Sequence, residues 1–468
     1  MPSRTVRITK LAIKNFKNVG NGMIEFANKR KDYKASILGL YGQNGSGKTA
    51  LIDAIQLLKY LLCGQKISDK YVDYINIDAD RATLNFQFRI NIDENLYDVW
   101  YDFSIRKVAD NTGLNINENE ANVFSHKVEV FDEVLSYACL TGKEKIRKST
   151  LIDTRTEEVF VPRAKYCELV GSDKNQITQL LVTKKYVQTT SRSFIFSREM
   201  INTFRKNCSN KGYLALVERL LIYGNRELFV IETRNSGLIS MDALPLAFNY
   251  KGNNTITYGN LMMSLDAAAP IPKEGYDIVK KVIANMNIVL KQIVPDLTID
   301  IVDLGPTVLK DGKFGRLIQL LSLKNGKAIP FQYESEGIKK IVSILQLLIA
   351  VYNNPSITVA IDEIDAGVFE YLLGELLNII SEKGKGQLIF TSHNLRPLET
   401  LDKGFIAFTT TNPEKRYIRM TNVKGNNNLR DFYYRDIVLG EQSEQVYDPT
   451  NNFEIALAFR EAGEAFGS

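Results

Sequence analysis

Apolar and polar positions alternate over several stretches near the start of the chain, which is the pattern of half-buried β-strands. Residues 8–16 and 21–26 are separated by a Gly/Asn turn, so they predict a short antiparallel pair. Residues 81–107 alternate in the same way around a polar Asp-Glu-Asn turn and predict a β-meander. Between these stretches, residues 35–62 run from a short apolar segment through a glycine-rich turn into a strongly helical segment.

Helix and strand patterns alternate again in the last third of the chain. An amphipathic helix at 334–352 precedes a buried strand ending in Asp-Glu, and a second helix precedes a strand ending in Thr-Ser-His-Asn. Alternation of this kind indicates a parallel or mixed sheet covered by helices. The chain is therefore predicted to be an α/β protein.

The middle of the chain is mixed, with amphipathic helices predicted at 197–224 and 276–293. We therefore expect a mixed sheet with covering helices, interrupted by an α+β insertion. The predicted regions are a first lobe at 1–110, the insertion at 111–319, a second lobe at 320–425 and an acidic C-terminal extension at 426–468.

Composition places the chain among ordinary globular proteins. Its 468 residues suffice for two or three domains, or for one large core with an insertion. Hydrophobic residues make up 44% and charged residues 24%, which excludes a mainly disordered chain. The net charge of +5 is too small to imply nucleic-acid binding. The start of the chain is basic and its end is acidic. These two segments can bind each other or bind partner molecules, but the interpretation that we favour is that both are solvated faces.

Cysteine and histidine counts exclude several kinds of site. The four cysteines lie far apart without a Cys-x-x-Cys pair, which argues against a zinc ribbon or a disulfide scaffold and fits a reducing cytosol. Two histidines are too few for a multi-histidine metal site. The start lacks the apolar core of a signal peptide, and the longest apolar stretch is too short to span a bilayer. We expect a cytoplasmic protein without membrane contact.

The glycine-rich turn fits G-x-x-x-x-G-K-[ST] at every fixed position. Its glycines allow backbone N–H groups to surround phosphate oxygens at the start of a helix. Lys48 is expected to reach the β- and γ-phosphates, and the Thr49 hydroxyl to bind Mg²⁺. The pattern predicts ATP bound by Gly42, Gln43, Asn44, Gly45, Ser46, Gly47, Lys48 and Thr49.

Two further motifs carry candidate catalytic groups. Asp362 and Glu363 follow the apolar strand, where the first carboxylate would hold the Mg²⁺ shell and the second polarise the attacking water. Such a pair also occurs as a helix N-cap, but the phosphate loop upstream favours the catalytic role. His393 follows the next strand, where a γ-phosphate sensor would lie.

Together these motifs resemble those of ABC-type ATPases of the RecF/SMC/OLD superfamily. KLAIKNFKNVGNGMIEF looks like the family's first strand and turn, and GQNGSGKT, AIDEID and FTSHN look like its Walker A, Walker B and switch-histidine motifs. SEGIKK, with Ser335 and Gly337, looks like its degenerate signature motif. The resemblance implies an ABC-type P-loop ATPase head that hydrolyses ATP with Mg²⁺. It also implies a homo-oligomer, at least a dimer, in which Ser335 and Gly337 contact the ATP of the opposite subunit.

The sequence departs from the family at three points. Phe369 stands where a histidine is common, so Asp365 is a candidate contact to the opposite subunit. Gln87 is a candidate Q-loop residue, although an ordinary strand glutamine is the favoured interpretation. The insertion shows no heptads, which excludes long coiled-coil arms.

No effector module is recognisable in the chain. The 75 residues after His393 lack an acidic triad and are too few for a Toprim nuclease domain, and His126 lacks a nearby Arg partner. The chain is therefore most similar to the stand-alone ATPase subunit of a bacterial anti-phage system, of which the PARIS ATPase is the nearest comparison. That similarity implies a separate effector, a nuclease, and a phage-encoded trigger.

Two other functions remain open. A RecF-like repair ATPase would bind DNA, with the basic residues of 143–148 and Lys184, Lys185 and Tyr186 as candidate phosphate contacts. Solvated lysines are the favoured interpretation there, since aromatic residues are not regularly interleaved. A transporter ATPase fits less well, because the insertion and the degenerate signature are unusual for that class.

Overall fold

A computed structural model describes residues 4–28, 34–109, 126–141, 145–156, 162–232, 243–251, 256–309, 312–421 and 428–464. The β-strands of these residues are β1 Thr5–Phe16, β2 Val19–Glu25, β3 Ser36–Tyr41, β4 Arg81–Ile92, β5 Asn95–Ala109, β6 His126–Cys139, β7 Ile146–Asp153, β8 Leu228–Ile231, β9 Ala243–Lys251, β10 Ile256–Ser264, β11 Ala269–Pro272, β12 Leu297–Val308, β13 Phe314–Lys324, β14 Lys327–Pro330, β15 Thr358–Ile361, β16 Gln387–Thr391, β17 Ile406–Thr409 and β18 Tyr417–Ile418.

Four of the α-helices of the described residues follow one another between β7 and β8, and the others lie between or after later strands, apart from one that follows β3. The α-helices are α1 Lys48–Leu62, α2 Arg163–Val170, α3 Lys174–Thr189, α4 Arg198–Asn207, α5 Lys211–Ile222, α6 Tyr276–Ile293, α7 Glu336–Asn353, α8 Glu370–Lys383, α9 Arg396–Thr400, α10 Leu429–Leu439 and α11 Asn452–Glu464. The helix predicted over 197–224 is two helices, because the Asn210 side chain accepts from Gly212 N and Tyr213 N and caps a new helix.

A six-stranded sheet forms the centre of the molecule, in the order β18-β17-β3-β16-β15-β8. Five of its strands run parallel, and β18 pairs antiparallel with β17. Parallel strands place all their carboxyl ends at one edge of the sheet, so the segments that follow β3, β15 and β16 meet there. The predicted α/β architecture, with a mixed sheet and covering helices, is confirmed.

An antiparallel sheet in the order β2-β1-β4-β5-β6-β7 lies beside this centre. It contains the predicted hairpin and meander, and β6 and β7 continue it beyond the meander. The predicted boundary at 110/111 lies outside the described residues, and the same sheet continues on its far side. The insertion also contributes β8 to the central sheet. The predicted boundary at 319/320 falls inside β13.

Alternate residues of the central strands enter two hydrophobic cores, as expected for a sheet covered on both faces. Ile389 packs with α1 and the antiparallel sheet, whereas its neighbours Leu388 and Phe390 pack with α6, α7 and α8. The insertion forms the hairpin β9-β10 and most of a third sheet, β11-β13-β12, whereas β14, which pairs with β13, lies beyond its predicted end. The predicted helix at 276–293 is α6, and α6 packs on β12.

The Gln387 side chain joins the two large sheets. Its Oε1 accepts from Ile8 N at 3.1 Å, and its Nε2 donates to Ile8 O at 2.8 Å. Pairing between β1 and β2 begins only at Lys10, so this amide takes the place of a strand beside Ile8. Gln387 is 1% exposed. The start of β16 is thereby held at a fixed position against β1.

The acidic C-terminal extension lies along the second lobe before it reaches α11. The Glu444 carboxylate accepts from Lys415 Nζ at 2.7 Å and from Asn412 Nδ2 at 2.9 Å. This pairing is with the segment between β17 and β18 rather than with the basic start of the chain. Within the described residues, no helix has an apolar stretch long enough to cross a bilayer.

Candidate functional site

The phosphate loop connects the end of β3 to the start of α1, as its sequence predicts. Gly42 has φ +152°, and a Cβ there would lie 1.7 Å from the hydroxyl oxygen of Thr409. Gly45 and Gly47 have φ +76° and +95°, in the region that favours glycine. The loop therefore needs glycine for its backbone at all three positions, and at Gly42 also for space.

Lys48 lies folded over this loop. Its Nζ donates to Gly42 O at 2.8 Å and to Gln43 O at 3.0 Å, and the residue is 7% exposed. Burial lowers the pKa of Lys48, while the negative charges of Asp362 and Glu363 act in the opposite direction. The ammonium is thus a buried cation held by carbonyl groups that a phosphate can replace.

Three contacts hold the shape of the loop, one within it and two with residues far along the chain. Ser46 Oγ donates to Gln43 O at 2.5 Å and also hydrogen-bonds the Thr409 hydroxyl. Gln43 Oε1 accepts from Asp448 N at 3.0 Å, so the C-terminal extension touches the loop. Ser46 and Gln43 therefore shape the loop rather than line the cleft beneath it.

Asp362 and Glu363 follow β15 at the carboxyl edge of the central sheet. The Thr391 hydroxyl, at the end of the neighbouring β16, donates to Asp362 Oδ1 at 2.5 Å and accepts from Glu363 N at 2.7 Å. Glu363 has φ +48°, which is uncommon for a residue with a side chain and points to local strain at a functional turn. One threonine therefore orients both residues of the Asp-Glu pair.

His393 is exposed two residues beyond β16. Asp365 Oδ2 accepts from His393 N at 3.1 Å and from Asn394 N at 2.9 Å. Asp365 therefore fixes the histidine loop within its own chain. A contact of Asp365 with an opposite subunit stays a prediction.

Ser335 and Gly337 lie elsewhere, at the start of α7. The exposed Ser335 caps the helix, accepting from Ile338 N at 3.4 Å. Gly337 packs on the loop after Asp365, where a Cβ would lie 2.5 Å from Gly367 O. Neither residue lines the cleft of its own chain.

Eight of the predicted residues line a cleft of about 790 Å³. Its lining joins consecutive loop residues to groups more than 300 positions away, because the carboxyl ends of β3, β15 and β16 meet at one edge. The predicted residues in the lining are Asn44, Gly45, Gly47, Lys48, Thr49, Asp362, Glu363 and His393.

Two segments of the lining were missed by sequence reasoning. Lys17 and Asn18 enter the cleft from the β1–β2 turn, and residues 73–78 line it beside them, since Lys17 N donates to Tyr74 O at 2.6 Å. Lys17 forms an ion pair with Asp53 of α1, and its Nζ lies 4.1 Å from the centroid of the Tyr74 ring. Positive φ angles at Asn15 and Lys17 shape the turn. A lysine within a hairpin turn was the one available signal, whereas the polar segment 73–78 resembles any loop.

The residues present fit a magnesium ion. The Thr49 hydroxyl and the Asp362 carboxylate both line the cleft, and Mg²⁺ prefers oxygen ligands, usually one or two protein groups together with phosphate oxygens and water.

The structure also places two other candidate binding residues, Gln87 of the possible Q-loop and Lys184 of the possible DNA contact. Gln87 lies within β4, paired with Lys10 of β1 and Trp100 of β5, and is not part of the cleft lining. It is therefore a strand glutamine, as favoured. Lys184 is 7% exposed, and its ammonium donates to Thr156 O at 2.7 Å. It is therefore a buried lysine, neither a solvated one nor one exposed to a DNA phosphate. Lys143 lies outside the described residues.

Comparison with known proteins gives one family match. Residues 10–210, fewer than half of the chain, match the family model described as AAA domain, which supports an ATPase domain containing the phosphate loop. No curated protein matches the chain.

Several solved structures are similar at low identity. An SMC head bound to the C-winged helix domain of ScpA has 13% identity and a TM-score of 0.41, covering 89% of this chain and 98% of its own. The SMC head domain from Thermotoga maritima has 14% identity and a TM-score of 0.34, covering 88% and 99%. The recombination mediator RecF has 14% identity and a TM-score of 0.37, covering 89% and 99%. Likenesses this distant assign no activity.

Proposed function

We propose that this protein is an ABC-type ATPase of the RecF/SMC/OLD kind, which hydrolyses ATP to ADP and phosphate. The observation that supports this most is the shared cleft. The glycine loop after β3, with its buried lysine and the threonine next to it, faces an aspartate and a glutamate after β15 and a histidine after β16. These are the groups that phosphoryl transfer to water requires.

Each group then has a distinct task. Lys48 would leave its loop carbonyls for the β- and γ-phosphates. Thr49 and Asp362 would hold Mg²⁺, and the ion would supply positive charge to the phosphate oxygens. Glu363 accepts the proton of the attacking water, with its backbone held by Thr391. His393 is placed to contact the γ-phosphate.

Two substitutions test this assignment. Lys48→Ala should abolish ATP binding, since it removes the cation that takes the phosphates. Glu363→Gln should bind ATP but turn over about 10²–10⁴-fold more slowly, because an amide cannot accept the proton. Glu370→Gln, at the exposed start of α8, is the matched control and should keep full activity. Retained affinity in Lys48→Ala, or turnover of Glu363→Gln within a few-fold of wild type, would remove the assignment.

His393 should matter less than Glu363. His393→Ala is expected to bind ATP with little change and to show a milder loss of turnover, since the histidine contacts only the γ-phosphate. A loss equal to that of Glu363→Gln would show that turnover depends on both residues equally and would contradict a role for His393 limited to the γ-phosphate.

We further propose that two chains associate head-to-tail with ATP between them. The supporting observation is that the exposed Ser335 and the half-buried Gly337 lie at a helix start outside the cleft of their own chain. ATP bound by both chains would stabilise the dimer by linkage. Ser335→Arg should be inactive alone yet partly restore turnover when mixed with Lys48→Ala, because one complete site can form. Full activity of monomeric Ser335→Arg, checked by light scattering, would refute the shared site.

The biological role we propose is that of an ATP-dependent sensor and scaffold in anti-phage defence. It would hold a separate effector, a nuclease, and release it on contact with a phage-encoded trigger, as the PARIS comparison implies. A supporting observation is α11, on which Phe453 and Phe459 are 78% and 77% exposed, a surface suited to another protein.

Co-purification of the protein with the product of a neighbouring gene tests that role. Salt-dependent DNA binding without such a partner would instead favour the RecF-like alternative.

A further inference from the structure

Arg416 is a buried cation beside the phosphate loop that the roles above leave unused. It lies in the segment between β17 and β18 and is 6% exposed. Its Nη1 donates to Thr410 O at 2.6 Å, and its Nη2 donates to Asn18 O at 2.6 Å. Among the described residues no carboxylate pairs with this guanidinium. Burial lowers the pKa of Arg416, but a guanidinium stays charged at neutral pH.

The carbonyl that Arg416 binds at Asn18 belongs to the lining of the cleft. Asn18 lies in the β1–β2 turn, and its Nδ2 donates to Gly45 O of the phosphate loop. A backbone contact reinforces this arrangement, because Arg416 N donates to Asn21 O at 3.1 Å. The β1–β2 turn is therefore bonded to Arg416 and to the phosphate loop.

Two further contacts hold the helix end of the loop. Tyr417 is 8% exposed, and its hydroxyl donates to Gly47 O at 3.0 Å. The Arg416 side chain packs on the same glycine, since a Cβ at Gly47 would lie 3.2 Å from Arg416 Cδ. Gly47 directly precedes Lys48 and Thr49. Neither Arg416 nor Tyr417 lines the cleft, so both can act on a bound nucleotide only through residues that do.

We propose that Arg416 and Tyr417 are positioning residues for ATP binding, which hold the phosphate loop and the β1–β2 turn together in the shape that receives the phosphates. This inference rests on the function proposed above. Asn18 and Arg416 are 398 positions apart, so their contact exists only in the folded chain. A loop that is already held in place binds phosphates without the entropic cost of ordering it. Because the loop binds the phosphates before and during the reaction, the contacts should affect affinity rather than kcat.

Affinity for a non-hydrolysable ATP analogue, measured by calorimetry beside kcat, tests this role. Arg416→Met should weaken binding about tenfold and leave kcat within about twofold of wild type. Arg416→Lys keeps a cation that can donate to both carbonyls, so its affinity should stay within about threefold of wild type. Tyr417→Phe removes one hydrogen bond and should weaken binding about two- to tenfold.

Arg419→Met is the matched control. Arg419 also joins β17 to the β1–β2 hairpin through carbonyl groups, since its Nη1 donates to Ile406 O at 3.1 Å and its Nη2 to Glu25 O at 2.8 Å. None of these three residues lines the cleft or contacts the phosphate loop. Arg419→Met should therefore keep the affinity within about twofold of wild type, whatever it does to the urea midpoint.

Unchanged affinity in Arg416→Met, a loss in Arg416→Lys as large as in Arg416→Met, or an equal loss in Arg419→Met would each overturn this role. If Arg416→Met does not fold, wild-type affinity in Tyr417→Phe overturns it. These results leave the proposed function standing if binding still depends on Lys48. Absence of Lys48-dependent binding in the wild-type protein would instead overturn the proposed function.

Discussion

The contact between Gln387 and Ile8 makes a sharp stability prediction. Replacing Gln387 by methionine keeps the length and volume of the side chain but removes the amide that pairs with the backbone of β1. Ile8 N and Ile8 O would then be buried without partners, since pairing with β2 starts only at Lys10.

The magnitude follows from those two groups. Leaving a buried donor or acceptor unsatisfied costs about 1–3 kcal/mol, so two such groups should lower the free energy of unfolding by about 2–6 kcal/mol. Gln387 also accepts from Thr358 Oγ1 at 3.2 Å, and the loss of that bond acts in the same direction. Methionine fills the volume, so no cavity adds to this cost.

Urea-induced unfolding followed by tryptophan fluorescence is a suitable assay. The chain has one tryptophan, Trp100, which lies on β5 in the antiparallel sheet that Gln387 anchors. The midpoint should fall with an unchanged slope, which is the signature of altered stability rather than altered exposed surface.

Gln87→Met is the matched control. Gln87 is a half-buried glutamine on β4 that makes no link between the sheets, so its replacement should change the unfolding free energy by less than about 0.5 kcal/mol. The reasoning is refuted if Gln387→Met is as stable as Gln87→Met.

Three further predictions concern the phosphate loop, the Walker B residues and the cysteines. Gly42→Ala should abolish ATP binding, because its Cβ would lie 1.7 Å from the Thr409 hydroxyl. Gly45→Ala has open space around the Cβ and should lose only about 1–2 kcal/mol of binding free energy. Calorimetry measures both affinities, and equal values would contradict this reasoning. Thr391→Val should lower kcat and Thr391→Ser should keep it, since the hydroxyl bonds both Walker B residues; equal rates would count against that role. Burial raises the pKa of Cys63 to about 11. At pH 8, iodoacetamide should therefore label the exposed Cys167 and spare Cys63 in the native protein, as mass spectrometry can check. Comparable labelling would show that Cys63 is accessible.

Local sequence determined most of the elements and the chemistry of the cleft. The phosphate loop is a run of eight consecutive residues whose glycines and lysine act through backbone geometry, so its form follows from the sequence alone. The Asp-Glu pair and His393 were placed correctly at strand ends because apolar runs report burial and parallel strands share a carboxyl edge.

Tertiary structure decided what lies opposite these motifs. Lys17 and residues 73–78 enter the cleft through contacts between remote segments, and polar loops carry no periodicity that shows which of them approach each other. The sequence position of Asp365 showed no partner within its own chain, and only the fold places its carboxylate against His393 N and Asn394 N. Lys184 looked like a surface lysine but is buried by packing of α3. Sequence patterns report whether a residue is buried by its own element, whereas packing between elements decides which polar groups are enclosed and what they bind.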